Sequence, residues 1–269
     1  MKLFKTIIKF LCYLFIFNHI NLAVAQESLD DDFSKAIDAE EKREKWGTEE
    51  FKQSLIDDMS SANISLFVEE HLFKINEPSR IFYKFEKFST LEDSFRGNVV
   101  LNIVKIDDSD RKYITFRYLK GRNKVRFPPQ IGAKGNPVFM LFFERDTRDM
   151  QRLTGGNALF FRSRIRHAIA ATEIKKTVIN FAGKELQAEE IVFKPFTKTK
   201  LKNRLTRYQS KEFKVILSEE IPGKIFKIET FTKDTKNKED IIRETLTYQG
   251  TKTNKELRQI YNKKKESKL

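Results

Sequence analysis

From Ile81 to Tyr248 the chain is written in a two-residue period, with a single long interruption. IFYKFEKF alternates around Ile81, Tyr83 and Phe85, and NVVLNIVKI (98–106) is β-branched and nearly continuous. KYITFRYL (112–119) sets Ile114, Phe116 and Tyr118 against Tyr113, Thr115 and Arg117, and DDSD (107–110) reads as the hairpin turn before it. Beyond the interruption the pattern resumes in TVINF and ELQAEEIVFKPF, joined through 182–184. KEFKVILS, the turn signal Pro222-Gly223, KIFKIETFT and DIIRETLTY (240–248) follow. Alternating runs of this length need one face buried and one face wet, which is the habit of an antiparallel sheet.

The interruption is helical. Asn136 is a good N-cap and Pro137 suits the first helical position, where its missing N–H costs nothing. The first helix is predicted to run to about Leu153, with Gly155-Gly156 as its stop, and Asn157 caps a second over NALFFRSRIRHAIAAT. Strands, then two helices, then strands, without strand–helix alternation, argues against a parallel doubly wound sheet. The predicted class is α+β: a curved antiparallel half-barrel sheet with a mid-chain pair of helices packed on its concave face.

At 100° per residue Phe139, Phe143, Met150 and Leu153 share one face of the first helix, with Arg145, Arg148 and Arg152 opposite. The second helix carries Ala158, Phe161, Ile165, Ala168 and Ile169 as its stripe, flanked by Arg162 and Arg164. Asp146 falls among apolar positions; it either pairs with Arg162 or Arg164 across the helices or sits at a wet end of its own helix. The helical arginines, Arg166 included, form either an anion-binding rim or a solvated face interleaved with Glu144, Asp146 and Asp149.

The N-terminus bears on compartment. Lys2, Lys5 and Lys9 precede an apolar run from Phe10 to Phe17, and Ala23-Val24-Ala25 fits a signal peptidase. Residues 1–25 are predicted to be a signal peptide cleaved before Gln26, giving a periplasmic protein that is not integral to the membrane; the run is too short to span about 30 Å of hydrocarbon. The one cysteine, Cys12, lies within that segment, so the mature chain has no disulfide, thiolate nucleophile or cysteine–metal site. Residues 26–60 hold twelve acids and five bases and read as an acidic, partly helical leader, with Thr48 capping TEEFKQSLIDDM. The whole chain is nevertheless +14. A basic body behind an acidic leader suggests an anionic partner or pairing of the two. The half-barrel domain is placed at 61–250 and a basic tail at 251–269.

Little else carries chemistry. FKPFTKTKLKNRLTR (193–207) has six bases and no acids, and is either a phosphate-binding stretch or a solvated loop. His71 and His167 have no metal-ligand spacing and read as surface histidines; no P-loop, G-x-S-x-G or S-x-x-K occurs. No cofactor, metal or nucleic-acid partner is expected, and no catalytic residue is assigned.

NPVFMLFFERDTRDM, LTGGNALFFRSRIRHAI and KEFKVILSEEIPGKIFKIE together resemble a family of exported proteobacterial proteins with no assigned activity, over roughly residues 78–249. At fold level the strand–helix–strand order and the turn Ile221-Pro222-Gly223 are similar to periplasmic lipoprotein carriers of the Lol type. That resemblance implies a half-barrel whose hydrophobic concavity, plugged by helices, holds acyl chains. The expected ligand is then a lipid or lipoprotein acyl chain, with an anionic envelope component as a further partner. Phe139, Phe142, Phe143, Phe160, Phe161 and Ile165 would line the cavity, and Arg162 and Arg164 would meet an anionic headgroup. Two alternatives from other classes stand beside it: an envelope hydrolase using unidentified carboxylates, and a periplasmic protein-interaction module.

Overall fold

A computed structural model describes residues 33–35, 59–197, 203–234 and 238–266. The signal segment, and the leader apart from 33–35, 59 and 60, lie outside the described residues, as does the helix expected after Thr48. Nine strands form one open antiparallel sheet: β1 Ser79–Ser89, β2 Phe95–Ile106, β3 Lys112–Tyr118, β4 Gln130–Ile131, β5 Lys175–Phe181, β6 Lys184–Phe193, β7 Glu212–Leu217, β8 Ile225–Lys233 and β9 Asp240–Thr253. Their order is β4-β3-β2-β1-β9-β8-β7-β6-β5. Two meanders are therefore joined where the last strand pairs with the first.

That order dictates where the helices go. The chain leaves the sheet at one edge, β4, and re-enters at the other, β5, so the intervening residues must cross the sheet's face. They do so as α1 (Val138–Thr154) and α2 (Ala158–Ala170). The expected stop of α1 and cap of α2 are present, while the N-cap of α1 falls one residue later than expected, on Pro137. Val138 N–H donates to Asn136 Oδ1 (3.1 Å), Gly155 takes the left-handed stop at φ 69°, and Leu159 N–H donates to Asn157 Oδ1. α3 (Asn254–Glu266) continues from β9.

The sheet wraps around α1. Phe142 meets Phe85 of β1 at 6.4 Å between ring centroids, while its neighbour Phe143 meets Phe193 of β6 at 6.1 Å and Phe213 of β7 at 5.7 Å. β1 and β6 are four places apart, about 19 Å across a flat sheet, so adjacent residues of one helix reach both because the face is concave. Strand phase sets the core: Ile81, Tyr83, Phe85 and then Lys87 point inward from β1, and Ile242, Glu244, Leu246 and Tyr248 from β9. From the leader, Phe33 is 8% exposed and packs edge-on to Tyr113 of β3 at 5.3 Å.

Two of the inward positions are charged, and they answer a charged helix. Lys87 and Glu244 face each other across β1 and β9 with their side-chain atoms 3.0 Å apart. Arg145 of α1 donates to Glu244 (2.8 Å) and Asp149 (3.0 Å), Asp149 also accepts from Lys87 (2.9 Å), and Arg145 stacks on Phe85. Arg145 is thus buried, whereas helical periodicity placed it on the face opposite the core. Burial by itself would raise the Glu244 carboxyl; Arg145 and Lys87 more than reverse this and hold it below the usual range.

Asp146 is buried, as one of its two readings required, but its partner is not an arginine of α2. Lys211, just before β7, lies 2.6 Å from it. Burial raises its carboxyl pKa, and Lys211 opposes the rise. His71 also departs from expectation: it is 1% exposed rather than a surface residue. Asn136 N–H donates to its Nδ1 (3.0 Å), which leaves Nε2 to carry the proton and donate to Ser65 O (2.6 Å). The ring is therefore neutral in the fold, and burial lowers its pKa. Asn136 finishes this knot by donating through Nδ2 to Tyr83 Oη (2.9 Å) and to Gly223 O (2.8 Å), so one residue accepts from the first turn of α1 and ties it to β1 and the β7–β8 turn.

Candidate functional site

A cavity of about 810 Å³ opens between α1, α2 and the helical segment that precedes β1. That segment begins as a turn, Ser61–Asn63, capped by Ser60, and widens into a π-type turn over Ile64–Val68, where Glu69 N–H donates to Ile64 O. The widened turn leaves Phe67 40% exposed along one wall, beside Met59 at 38%. α1 supplies Met140, 56% exposed, with Phe143, Glu144 and Thr147 below it. α2 supplies Ile165 and Ile169 as the floor and Arg162, Arg166 and His167 along the rim.

The cleft does not lie between the sheet and the helices, where sequence reasoning had placed the cavity. That interface is filled: Phe139 and Phe142 are each 1% exposed and pack into the sheet. Of the anticipated lining residues, Phe143, Ile165 and Arg162 reach the cleft. Phe160 and Phe161 belong instead to a second apolar cluster with Met150, Phe196, Tyr208 and Ile242. Arg164 donates to the Pro195 carbonyl (3.1 Å), away from the cleft. Met59, Phe67 and Met140 were missed. Met140 lies one helical step from the stripe through Phe139 and Phe143, and only its place opposite the segment before β1 makes it lining.

The electrostatics of the rim are asymmetric. Glu144 accepts two hydrogen bonds from Arg162 (2.9 and 2.8 Å) and one from Arg148 (3.0 Å). The Arg162 contact is the chief reason its carboxyl stays below the usual range. Arg162 therefore presents a neutralised, fixed guanidinium, while Arg166 is exposed at the same edge. Apolar walls, a floor of branched aliphatics and cations at one edge suit the sequestering of an amphipathic molecule. Ser163 and His167 both line the cleft one helical turn apart, with no hydrogen bond between them. Among the described residues no group of three or more His, Cys, Asp or Glu could hold a metal ion. Nor is any helix among them long and apolar enough to cross a membrane.

No family model matches the chain, and no curated protein matches it. Solved structures similar to it include the lipoprotein LppX of Mycobacterium tuberculosis, with a TM-score of 0.26, 7% identity, and coverage of 75% of this chain and 95% of that one. A DUF1329 family protein from Desulfovibrio piger follows with a TM-score of 0.25, 9% identity, and coverage of 73% and 94%. A putative outer membrane lipoprotein-sorting protein domain from Vibrio parahaemolyticus aligns with a TM-score of 0.22, 9% identity, and coverage of 66% and 86%. With identities and scores this low, the likeness carries no conclusion about ligand or activity.

Proposed function

We propose that this protein is a non-enzymatic carrier or binding protein of the bacterial envelope, exported by its N-terminal segment, whose ligand is an acyl chain or other amphipathic molecule. The observation that carries the reading is the open cleft of about 810 Å³, with Met59, Phe67 and Met140 exposed at its walls. That volume falls within the roughly 300–1,000 Å³ typical of small-molecule sites. Large apolar side chains clustered at one open concavity are an unusual cost for a chain of mean hydropathy −0.54 unless something covers them.

Binding is assigned to Phe143, Ile165 and Ile169 beneath the tail and to Met59, Phe67 and Met140 beside it. An anionic head would meet Arg166, with Arg162 released from Glu144 as a second contact. Phe139, Phe142, Phe160 and Phe161 support the helices from behind, and Arg164 anchors α2 to the loop after β6. Methionine suits such a wall because its flexible thioether adapts to chains of different length.

Native mass spectrometry of the protein purified from the envelope in a mild detergent-free buffer tests the reading. The expected spectrum shows a fraction of molecules with an added mass in the range of a fatty acid or lipid. A wholly ligand-free protein that also takes up no fluorescent fatty acid would overturn it.

A further inference from the structure

The basic tail starts in the last residues of β9 and continues as α3 over Asn254–Glu266, whose start is firmly built. Thr253 N–H donates to Glu256 Oε2 (2.6 Å) while Glu256 N–H donates to Thr253 Oγ1 (3.1 Å), a reciprocal capping box. Asn254 N–H donates to the Pro78 carbonyl (2.9 Å), fixing the helix to the head of β1. A helix so capped would be expected to pack on the body, yet it leaves most of itself in solvent: Tyr261 is 70% exposed, and Lys255, Arg258 and Lys263 are exposed as well. At 100° per residue Leu257, Ile260 and Tyr261 form a narrow apolar stripe, with Arg258 on one side and Lys263 on the other.

We propose that α3 is a docking surface for a membrane carrying anionic lipid. Two observations favour a bilayer over an acidic protein. Cations flank the apolar stripe, so their stems can lie along it while their heads reach phosphates, the arrangement of an interfacial helix. The most exposed apolar residue is a tyrosine, whose amphipathic ring prefers the headgroup level. Across 252–263 four bases outweigh one acid, which gives the surface the sign an anionic leaflet attracts. The inference stands apart from the cleft: it concerns where the protein docks rather than what it holds.

Co-sedimentation of the full mature chain with vesicles decides it. Wild type is expected to bind vesicles of phosphatidylcholine mixed with phosphatidylglycerol, to ignore phosphatidylcholine alone, and to be released by high salt. Each cation near such a surface is worth about 5-fold in partition, so R258E/K263E should weaken binding at least about 25-fold. Tyr261→Ser, at an exposed position that leaves the fold intact, should weaken it several-fold and serves if the double variant misfolds. Equal binding to both vesicle types, undiminished binding by these variants, or binding to soluble polyglutamate without binding to vesicles would overturn the proposal.

Discussion

Glu244→Gln tests how α1 is held in the sheet. The native carboxylate stands between Arg145 and Lys87 at 2.8 and 3.0 Å, and all three side chains are at most 9% exposed. Removing the charge leaves Lys87 with Glu92 (2.6 Å) and Asp149 (2.9 Å), and Arg145 with Asp149 (3.0 Å), both acids more than a fifth exposed. Breaking a buried ion pair costs about 3–5 kcal/mol. The amide oxygen still accepts one hydrogen bond and Asp149 still touches both cations, so the lower end, about 3 kcal/mol, is expected. In a domain of this size that corresponds to a fall in Tm of about 6–12 °C. Scanning calorimetry across pH supplies the sign. Arg145 and Lys87 hold both Glu244 and Asp149 low against the effect of burial. Their stabilisation is therefore present above the ordinary carboxylate range of about 4 and is lost as pH falls through the lowered native values. The gap between wild type and variant should be widest near neutrality and close on acidification. A loss below about 1 kcal/mol, or a gap that widens in acid, would refute the argument.

Three further outcomes follow from the same geometry. His71 is neutral in the fold with a pKa below 6.5, so below about pH 6.5 the unfolded chain binds a proton that the folded chain does not. Urea midpoints of wild type should then fall between pH 7.5 and 5.5, while His71→Gln lacks that part of the slope; identical slopes would contradict a neutral ring in the fold. Gly223→Ala should cost about 2–4 kcal/mol in urea unfolding: φ is +81°, and a Cβ there would lie 2.7 Å from Ile81 Cδ1 and 2.9 Å from Asn136 Nδ2. An unchanged midpoint would show that the knot around Asn136 is looser than described. Ile165→Trp should fill the cleft floor and lower uptake of a fluorescent fatty acid at least about 10-fold, with stability altered by no more than about 3 kcal/mol; undiminished uptake would move the ligand elsewhere.

Much of the architecture is legible in the sequence because strands and helix caps advertise themselves locally. Ile81-Tyr83-Phe85 fixes the inward phase of β1, and Asn136, Gly155 and Asn157 punctuate the helices. The same phase, carried one step further, points Lys87 inward, and Ile242-Glu244-Leu246 does so for Glu244. The pattern alone does not mark either as buried, because a buried charge is identified by its partner, and the partners lie on another strand and a helix. Asp146 shows the limit: helical periodicity flags it, but Lys211 is 65 positions away and nothing local names it. The cleft was misplaced for a similar reason. Helical stripes say which side chains face the sheet, whereas the cavity is made by the outer shoulders of α1 and α2 against a π-type turn that no periodicity predicts.

The most direct measurement is photo-crosslinking of the purified protein with a diazirine-bearing fatty acid, followed by peptide mass spectrometry. Adducts should concentrate on Met59, Phe67 and Met140 and be competed away by unlabelled fatty acid. Adducts confined to the outer face of the sheet, or insensitive to competitor, would contradict the claim that the cleft beside α1 and α2 is where an acyl chain is held.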